Sequence, residues 1–182
     1  MSLEKSTIDN IIEQDEEIYE YGNYYTNEKI KNYETFEELN ISKETLKGIY
    51  AFGFEKPSKI QQKAIKPVID GRNLIAQSQS GTGKTGTFVI SSIERVDKNI
   101  KHPQVIILSP TRELAKQTLE VCNNLMKFHN NMSVHLAIGG VQRSAISRKY
   151  SHLMKNNNDV INDQIIVGTP GRICDLITKR KL

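Results

Sequence analysis

The sequence is poor in cysteine: among 182 residues it has two, Cys122 and Cys174, far apart and each within a helical pattern. That count excludes a disulfide framework and reads as two small buried hydrophobes in a reducing compartment. The four histidines, His102, His129, His135 and His152, share no metal-ligand spacing with one another or with a cysteine, which argues against a zinc site. No apolar run approaches a membrane span, and Met1 to Ile12 lacks a basic-then-apolar leader. These absences lead us to expect an intracellular protein, cytoplasmic or nuclear, without membrane contact. There is no internal repeat. Hydrophobic residues make up 37% of the chain, so the core must be concentrated in a few segments of one sizeable domain.

Acidic residues are scarce in the body of the chain and crowded at its start. Residues 1–40 carry 11 Asp/Glu against 3 Lys/Arg, whereas residues 41–182 carry 10 against 22. A basic body with an acidic arm suggests a polyanionic partner for the body. Residues 1–33 read as that arm: Glu13, Asp15, Glu16, Glu17 and Glu20 precede Tyr19, Tyr21, Tyr24 and Tyr25 among Gly and Asn. High charge with few aliphatics predicts disorder there. The folded domain is expected over residues 34–182.

From residue 34 the pattern alternates. Ser42 opens a helix through Ala51 with Gly53 as its stop, and Ser58 opens another closing at Asp70-Gly71. Asn73–Gln77 predicts a short buried strand, followed by a helix from Thr85 to Val96 with Phe88, Val89, Ile93 and Val96 on one side. Further strands are expected at Val105–Leu108, Val134–Ile138 and Ile165–Val167, and helices at Thr111–Phe128, Gln142–Leu153 and Pro170–Lys179. Short apolar strands alternating with helices predict an α/β fold with a mostly parallel sheet covered on both faces.

Between the Asn73–Gln77 strand and the next helix lies Ser80-Gly81-Thr82-Gly83-Lys84-Thr85. Glycines let successive backbone N–H groups converge on phosphate oxygens at a helix N-terminus. Lys84 then neutralises the β- and γ-phosphates, and the Thr85 hydroxyl offers an oxygen to Mg²⁺. The strict G-x-x-x-x-G-K-[ST] pattern is broken only at its first glycine, where Ser78 stands. A regulatory GTPase is disfavoured because no Asn-Lys-x-Asp segment occurs. A small-molecule kinase would use the same loop but needs neither of the features that follow.

Loops at the C-terminal ends of three strands share one geometry, where open α/β sheets place ligands. They are Pro110-Thr111-Arg112, Gly139-Gly140 and Thr169-Pro170-Gly171-Arg172. Thr111 and Thr169 are candidate helix caps, Pro170 suits a first helical turn, and the two arginines stand beside helix starts. Repeated helix N-termini beside arginines on one edge suit a row of phosphates, read without sequence specificity.

Taken with these loops, Phe36 and Gly53-Phe54-Glu55-Lys56-Pro57-Ser58-Lys59-Ile60-Gln61 resemble the Q motif of DEAD-box RNA helicases. Ser78–Thr85 is similar to the family's motif I, Pro110–Ala115 to motif Ia, Gly139-Gly140 to the GG motif and Thr169–Arg172 to motif Ib. Order and spacing agree from about residue 34 to the end, and the wording is nearest to the initiation-factor-4A group, its exon-junction branch included. The resemblance implies a RecA-like P-loop NTPase domain using ATP and Mg²⁺. It implies a nucleotide site of Phe36, Phe54, Lys56 and Gln61 with Ser78, Gln79, Ser80, Gly81, Thr82, Gly83, Lys84 and Thr85. Within that site Gln61 reads adenine, Phe36 stacks on the base, Phe54 shapes the pocket, and Lys84 and Thr85 serve catalysis. RNA contacts fall to Pro110, Thr111, Arg112, Gly139, Gly140, Thr169, Pro170, Gly171 and Arg172, including ribose 2′-hydroxyls.

The resemblance further implies an ATP-dependent RNA helicase, monomeric, with protein partners in translation initiation or exon-junction assemblies. An ATP-gated RNA clamp with little turnover is the alternative. Two features depart from the family: Val141-Gln142-Arg143 replaces a threonine-asparagine pair, and the Lys155–Gln164 loop is longer. None of the later strands ends in the acid that a P-loop ATPase needs. The Asp-Glu-Ala-Asp motif and a second RecA-like domain are expected beyond Leu182, so the 182 residues alone are expected not to hydrolyse ATP.

Overall fold

A computed structural model describes residues 19–20, 25–26, 31–139 and 160–182. Gly140, the Val141-Gln142-Arg143 departure, the expected Gln142–Leu153 helix, residues 155–159 of the polar loop and most of the acidic arm lie outside the described residues. Within the arm, β1 (Tyr19–Glu20) and β2 (Tyr25–Thr26) pair antiparallel, Tyr19 opposite Thr26, where only disorder was expected.

A single 3₁₀ turn at Glu37–Leu39 leads into α1 (Lys43–Ala51), whose cap forms as the sequence predicts: the Ser42 hydroxyl accepts from Thr45 N at 3.3 Å. Gly53, at φ 93°, ends that turn of chain. The chain continues through α2 (Lys59–Ile69), α3 (Lys84–Arg95), β3 (Val105–Leu108), α4 (Arg112–Leu125), β4 (Val134–Ala137), β5 (Ile165–Gly168) and α5 (Pro170–Thr178). Strands β3, β5 and β4 form a parallel sheet in that spatial order. The connection from β3 to β4 crosses over through α4, and full burial of β4 and β5 fits their largely apolar sequences, His135 of β4 apart.

The main core lies on one face of the sheet. Ile107, Val134, Leu136, Ile165 and Val167 meet Leu119, Cys122, Leu125, Val89, Ile90 and Ile49 from the helices. Each such side chain contributes about 1.5–3 kcal/mol when fully buried. Helix α1 approaches α4 closely enough that a Cβ on Gly48 would stand 2.1 Å from the Leu125 carbonyl oxygen, so only glycine fits. On the other face, Ile166 and Ala137 pack with Ile161, Ile173 and Leu176 under α5.

Two polar clusters lock the periphery. Glu94, near the end of α3, accepts from Ser42 N at 2.9 Å, Ser42 Oγ at 2.7 Å and the Thr45 hydroxyl, while His129 Nε2 lies 2.9 Å from Thr45 Oγ1. Burial pushes the His129 imidazole below its ordinary pKa, against the opposing pull of Glu94 and Glu44. At the N-terminal end of the sheet, fully buried Gln164 accepts from Ser133 N at 3.0 Å and Ser133 Oγ at 3.1 Å, and donates to Asn131 O at 2.9 Å. Its backbone carbonyl accepts from Gln104 N at 2.8 Å, so one residue ties the entries of all three strands.

The structure corrects three expectations. Asn73–Gln77 is not a buried strand: it pairs with no described segment, and Ile75 is 97% exposed. A strand forms by satisfying its N–H and C=O groups on a neighbouring strand, and among the described residues no ladder forms along this run. The sheet carries helices on both faces as expected, with Ile106 and Leu108 of the edge strand β3 remaining exposed. Cys122 is buried, its thiol pushed up to about 12 by desolvation, but Cys174 is exposed on α5. Phe88, placed on the apolar side of its helix, is likewise exposed.

Candidate functional site

The phosphate loop turns through two glycines in the left-handed region, Gly81 at φ 78° and Gly83 at φ 95°. Gly83 is the N-cap of α3, and its carbonyl accepts from Thr87 N at 3.0 Å, which starts the helix. Lys84 folds back so that its ammonium donates to the carbonyls of Ser78 and Gln79. Ser78 Oγ and Thr82 Oγ1 share a 2.6 Å bond, and Thr82 Oγ1 donates to Gln79 O at 2.8 Å. The loop thus satisfies itself, holding its cation against its own oxygens. Ser80 and Gly81 are exposed, and Thr85 stands half-buried in the first turn of α3. Magnesium is usually held by one or two protein oxygens together with substrate phosphates, and the Thr85 hydroxyl at a helix start fits that role.

Against this loop pack the residues proposed to read the base. Gln61 is buried; its Oε1 accepts from Ser58 N at 2.9 Å and its Nε2 donates to the Gly83 carbonyl at 3.3 Å. A Cβ on Gly86 would stand 2.7 Å from Gln61 Nε2 and 3.0 Å from the Phe54 ring, so the helix start, Gln61 and Phe54 are in direct contact. The Ser58 hydroxyl oxygen, buried beside them, has no hydrogen-bond partner among the described residues. Lys56 is exposed on the loop leading in.

Phe36 departs from expectation. It is fully buried, stacked on Phe54 at 6.4 Å between centroids with an 18° interplanar angle, and edge-on to Tyr50 at 6.3 Å. Its ring belongs to the main core and presents no face for a base to stack on. The cause is simple: an isolated phenylalanine near an apolar core gains more from burial than from exposure. Phe36 supports Phe54 from behind.

The second cluster sits at the C-terminal end of the sheet. The strands finish level, with Leu108 opposite Gly168 and Gly168 opposite Ala137. Ser109 N donates to Gly168 O at 2.8 Å and Thr169 N to Ala137 O at 3.0 Å, extending the ladder into the loops. A shallow open pocket results, lined by Arg112, Gly139, Thr169, Gly171, Arg172 and Asp175. Pro110 and Thr111 are exposed next to Arg112, and Pro170 opens α5 as expected. The Thr111 hydroxyl caps α4 by accepting from Leu114 N at 3.2 Å, whereas the Thr169 side chain makes no cap bond. Among the described residues a Cβ on Gly139 or Gly171 would meet no atom within 4 Å, so their packing does not demand glycine at either place.

Sequence reasoning missed Asp175. Its carboxylate accepts from Arg172 Nη1 and, at 2.6 Å, from Lys179 Nζ. The Lys179 hydrogen bond foremost, then the charges of Lys179 and Arg172, holds its pKa below the usual carboxylate value. The available signal was the spacing, three residues after Arg172 and four before Lys179, which puts all three on one helical face.

One place therefore offers a cation and helix N–H groups to a phosphate chain beside a buried amide, and the other offers arginines and open glycines at a strand edge. The DEAD/DEAH box helicase family matches residues 58–182. Eukaryotic initiation factor 4A of Dictyostelium discoideum is 45% identical over 158 residues, covering 87% of this chain and 36% of that protein. The ATP-dependent RNA helicase eIF4A of Pyricularia oryzae is 46% identical over 151 residues, covering 82% and 35%. Among solved structures, S. cerevisiae Dbp5 bound to RNA and ADP BeF3 superposes with a TM-score of 0.71 at 42% identity, over 81% of this chain and 35% of that one. A DEAD box protein from the hyperthermophile Methanococcus jannaschii gives 0.68 at 39% identity, over 83% and 39%. The chain spans about 36% of the length of the Dictyostelium relative.

Proposed function

This chain belongs to the DEAD/DEAH box helicase family, and on that premise we propose that it supplies the ATP and RNA contacts of an ATP-dependent RNA helicase. The observation that carries the reading is the sheet edge, where level strand ends gather Arg112, Gly139, Thr169 and Arg172 around one pocket beside a domain that also holds a phosphate loop. The Dbp5 likeness supports it, since that protein is seen with RNA and a nucleotide analogue.

On this reading Lys84 exchanges the Ser78 and Gln79 carbonyls for phosphate oxygens, and the N-terminal N–H groups of α3 join it. Thr85 contributes its hydroxyl oxygen to Mg²⁺, which neutralises phosphate charge when bound. Gln61 turns its amide toward an adenine edge, where one donor and one acceptor match adenine and mismatch guanine. Because Gln61 also donates to the Gly83 carbonyl, a shift of the loop on taking up phosphate is felt at the base-reading amide. Phe54 lines the base side, backed by Phe36, and exposed Lys56 adds positive charge at the approach.

At the pocket, Arg112 and Arg172 grip backbone phosphates, while Pro110, Thr111, Pro170 and Gly171 shape the rim. The Thr169 hydroxyl, not engaged in capping, is available to a ribose 2′-hydroxyl. Gly139 leaves room for the strand to approach. Contacts of this kind read backbone rather than bases.

Two titrations test the proposal: a fluorescent ATP analogue competed by ATP and GTP, and a labelled single-stranded oligoribonucleotide competed by its DNA counterpart. Preference for ATP and for RNA is expected. Equal competition by GTP, or by DNA, sinks the base-reading or the ribose-reading assignment respectively.

A further inference from the structure

A carboxylate lining a pocket for polyanions is a physical contradiction unless it does something a neutral residue could not. Asp175 faces Arg112, Gly139, Thr169 and Arg172 across that pocket. Charge alone would make it a liability, because a phosphate backbone is attracted by net positive charge and repelled by a carboxylate. Yet the carboxylate is engaged on both sides, by Arg172 Nη1 through one oxygen and by Lys179 Nζ at 2.6 Å through the other. The three residues form a chain along one face of α5, with Arg172 in its first turn and Lys179 just past its last residue.

We propose that Asp175 is the positioning residue of the pocket, holding the Arg172 guanidinium over Gly139 and Thr169 so that an RNA phosphate meets it already oriented. The proposal rests on the reading of this pocket as an RNA site. Arginine has five N–H donors in a rigid fork, so its bond to the Asp175 carboxylate helps to fix the plane of the group. A flexible arginine must otherwise be immobilised by the ligand itself, which weakens binding. Lys179 engages the other carboxylate oxygen and so holds Asp175 from its far side, and all three side chains remain partly exposed beside the pocket.

The sign of one measurement separates this role from simple charge. Asp175→Asn removes a negative charge from the pocket, so electrostatics alone predicts tighter RNA binding. Positioning predicts weaker binding, by roughly three- to tenfold, the cost of ordering one long side chain. The experiment titrates a labelled U-rich oligoribonucleotide into the full chain and its variants at two salt concentrations, with melting temperature recorded for each. D175N is expected to weaken binding at both salts with little change in melting; D175E should recover part of the loss. In an R172A background D175N should no longer weaken binding, because the arginine it orients is gone. D175N binding as tightly as the unsubstituted chain, or more tightly, overturns the proposal. So does an equal loss in the R172A background. R172A and R112A leaving affinity unchanged would instead sink the RNA reading of the pocket.

Discussion

The phosphate loop and the sheet-edge pocket are both read as phosphate sites, but the chain holds them in opposite ways. The loop follows an exposed segment outside the sheet and keeps its shape by internal bonds: Lys84 on the Ser78 and Gln79 carbonyls, Ser78 on Thr82, Gln61 on Gly83. The pocket stands on strands that end level and are fully hydrogen-bonded to one another. The backbone of its rim is therefore set by the strands, whereas on the proposed reading the loop trades partners on binding. The glycines mirror the contrast. Gly86 is required by Gln61 and Phe54, while Gly139 and Gly171 face open space.

The sharpest way to break the comparison is Lys84→Ala. It should weaken binding of a fluorescent ATP analogue by roughly 10- to 100-fold, the range for losing charge-assisted bonds, and leave RNA affinity measured without nucleotide unchanged. A parallel loss of RNA affinity would show that the two regions are not independently held. Next comes Gly168→Ala, directly beneath the pocket, where a Cβ would stand 2.3 Å from the Ala137 carbonyl oxygen. Urea unfolding should show a loss of about 1–3 kcal/mol. Gly139→Ala, at the rim, should stay within about 0.5 kcal/mol of the parent in the same assay while lowering RNA affinity. Equal destabilisation by both would refute the division into packing and ligand-facing glycines.

Arg112→Ala should lower RNA affinity several-fold and reduce the salt-dependence slope by about 1, as for one phosphate contact. An unchanged slope would remove Arg112 from the proposed track. The smallest effect is expected away from both regions. His129 is held below its ordinary 6.5 by burial, so the unfolded chain takes up the proton more readily. Stability should be fully present above about pH 6.5 and decline as pH falls below it. His129→Gln should flatten that decline, read as the difference between the two melting curves over pH.

The parts of the fold that were legible in the sequence are those specified locally. Ser42 and Thr111 cap their helices as their types predict, and the apolar runs of β3, β4 and β5 become strands because each finds a neighbour. Asn73–Gln77 carries the same kind of run and fails, since pairing is a property of two segments and the sequence displays only one. At the site, Arg112, Gly139, Thr169 and Arg172 were found by spacing, and the register then brought them together. Phe36 was misread because a resemblance assigns a role without fixing depth, and its ring lies in the core. Asp175 was invisible because a lone acid beside a basic motif looks like ordinary surface charge.

Gln164 has one further consequence. By fastening the entry points of all three strands, it resets the frame after the long stretch between Gly139 and Val160. The number of residues in that stretch is thereby uncoupled from the alignment of the binding edge. Length variation in residues 155–159 is thereby separated from the alignment of the strand ends, and a tag or reporter spliced there should leave the edge in place.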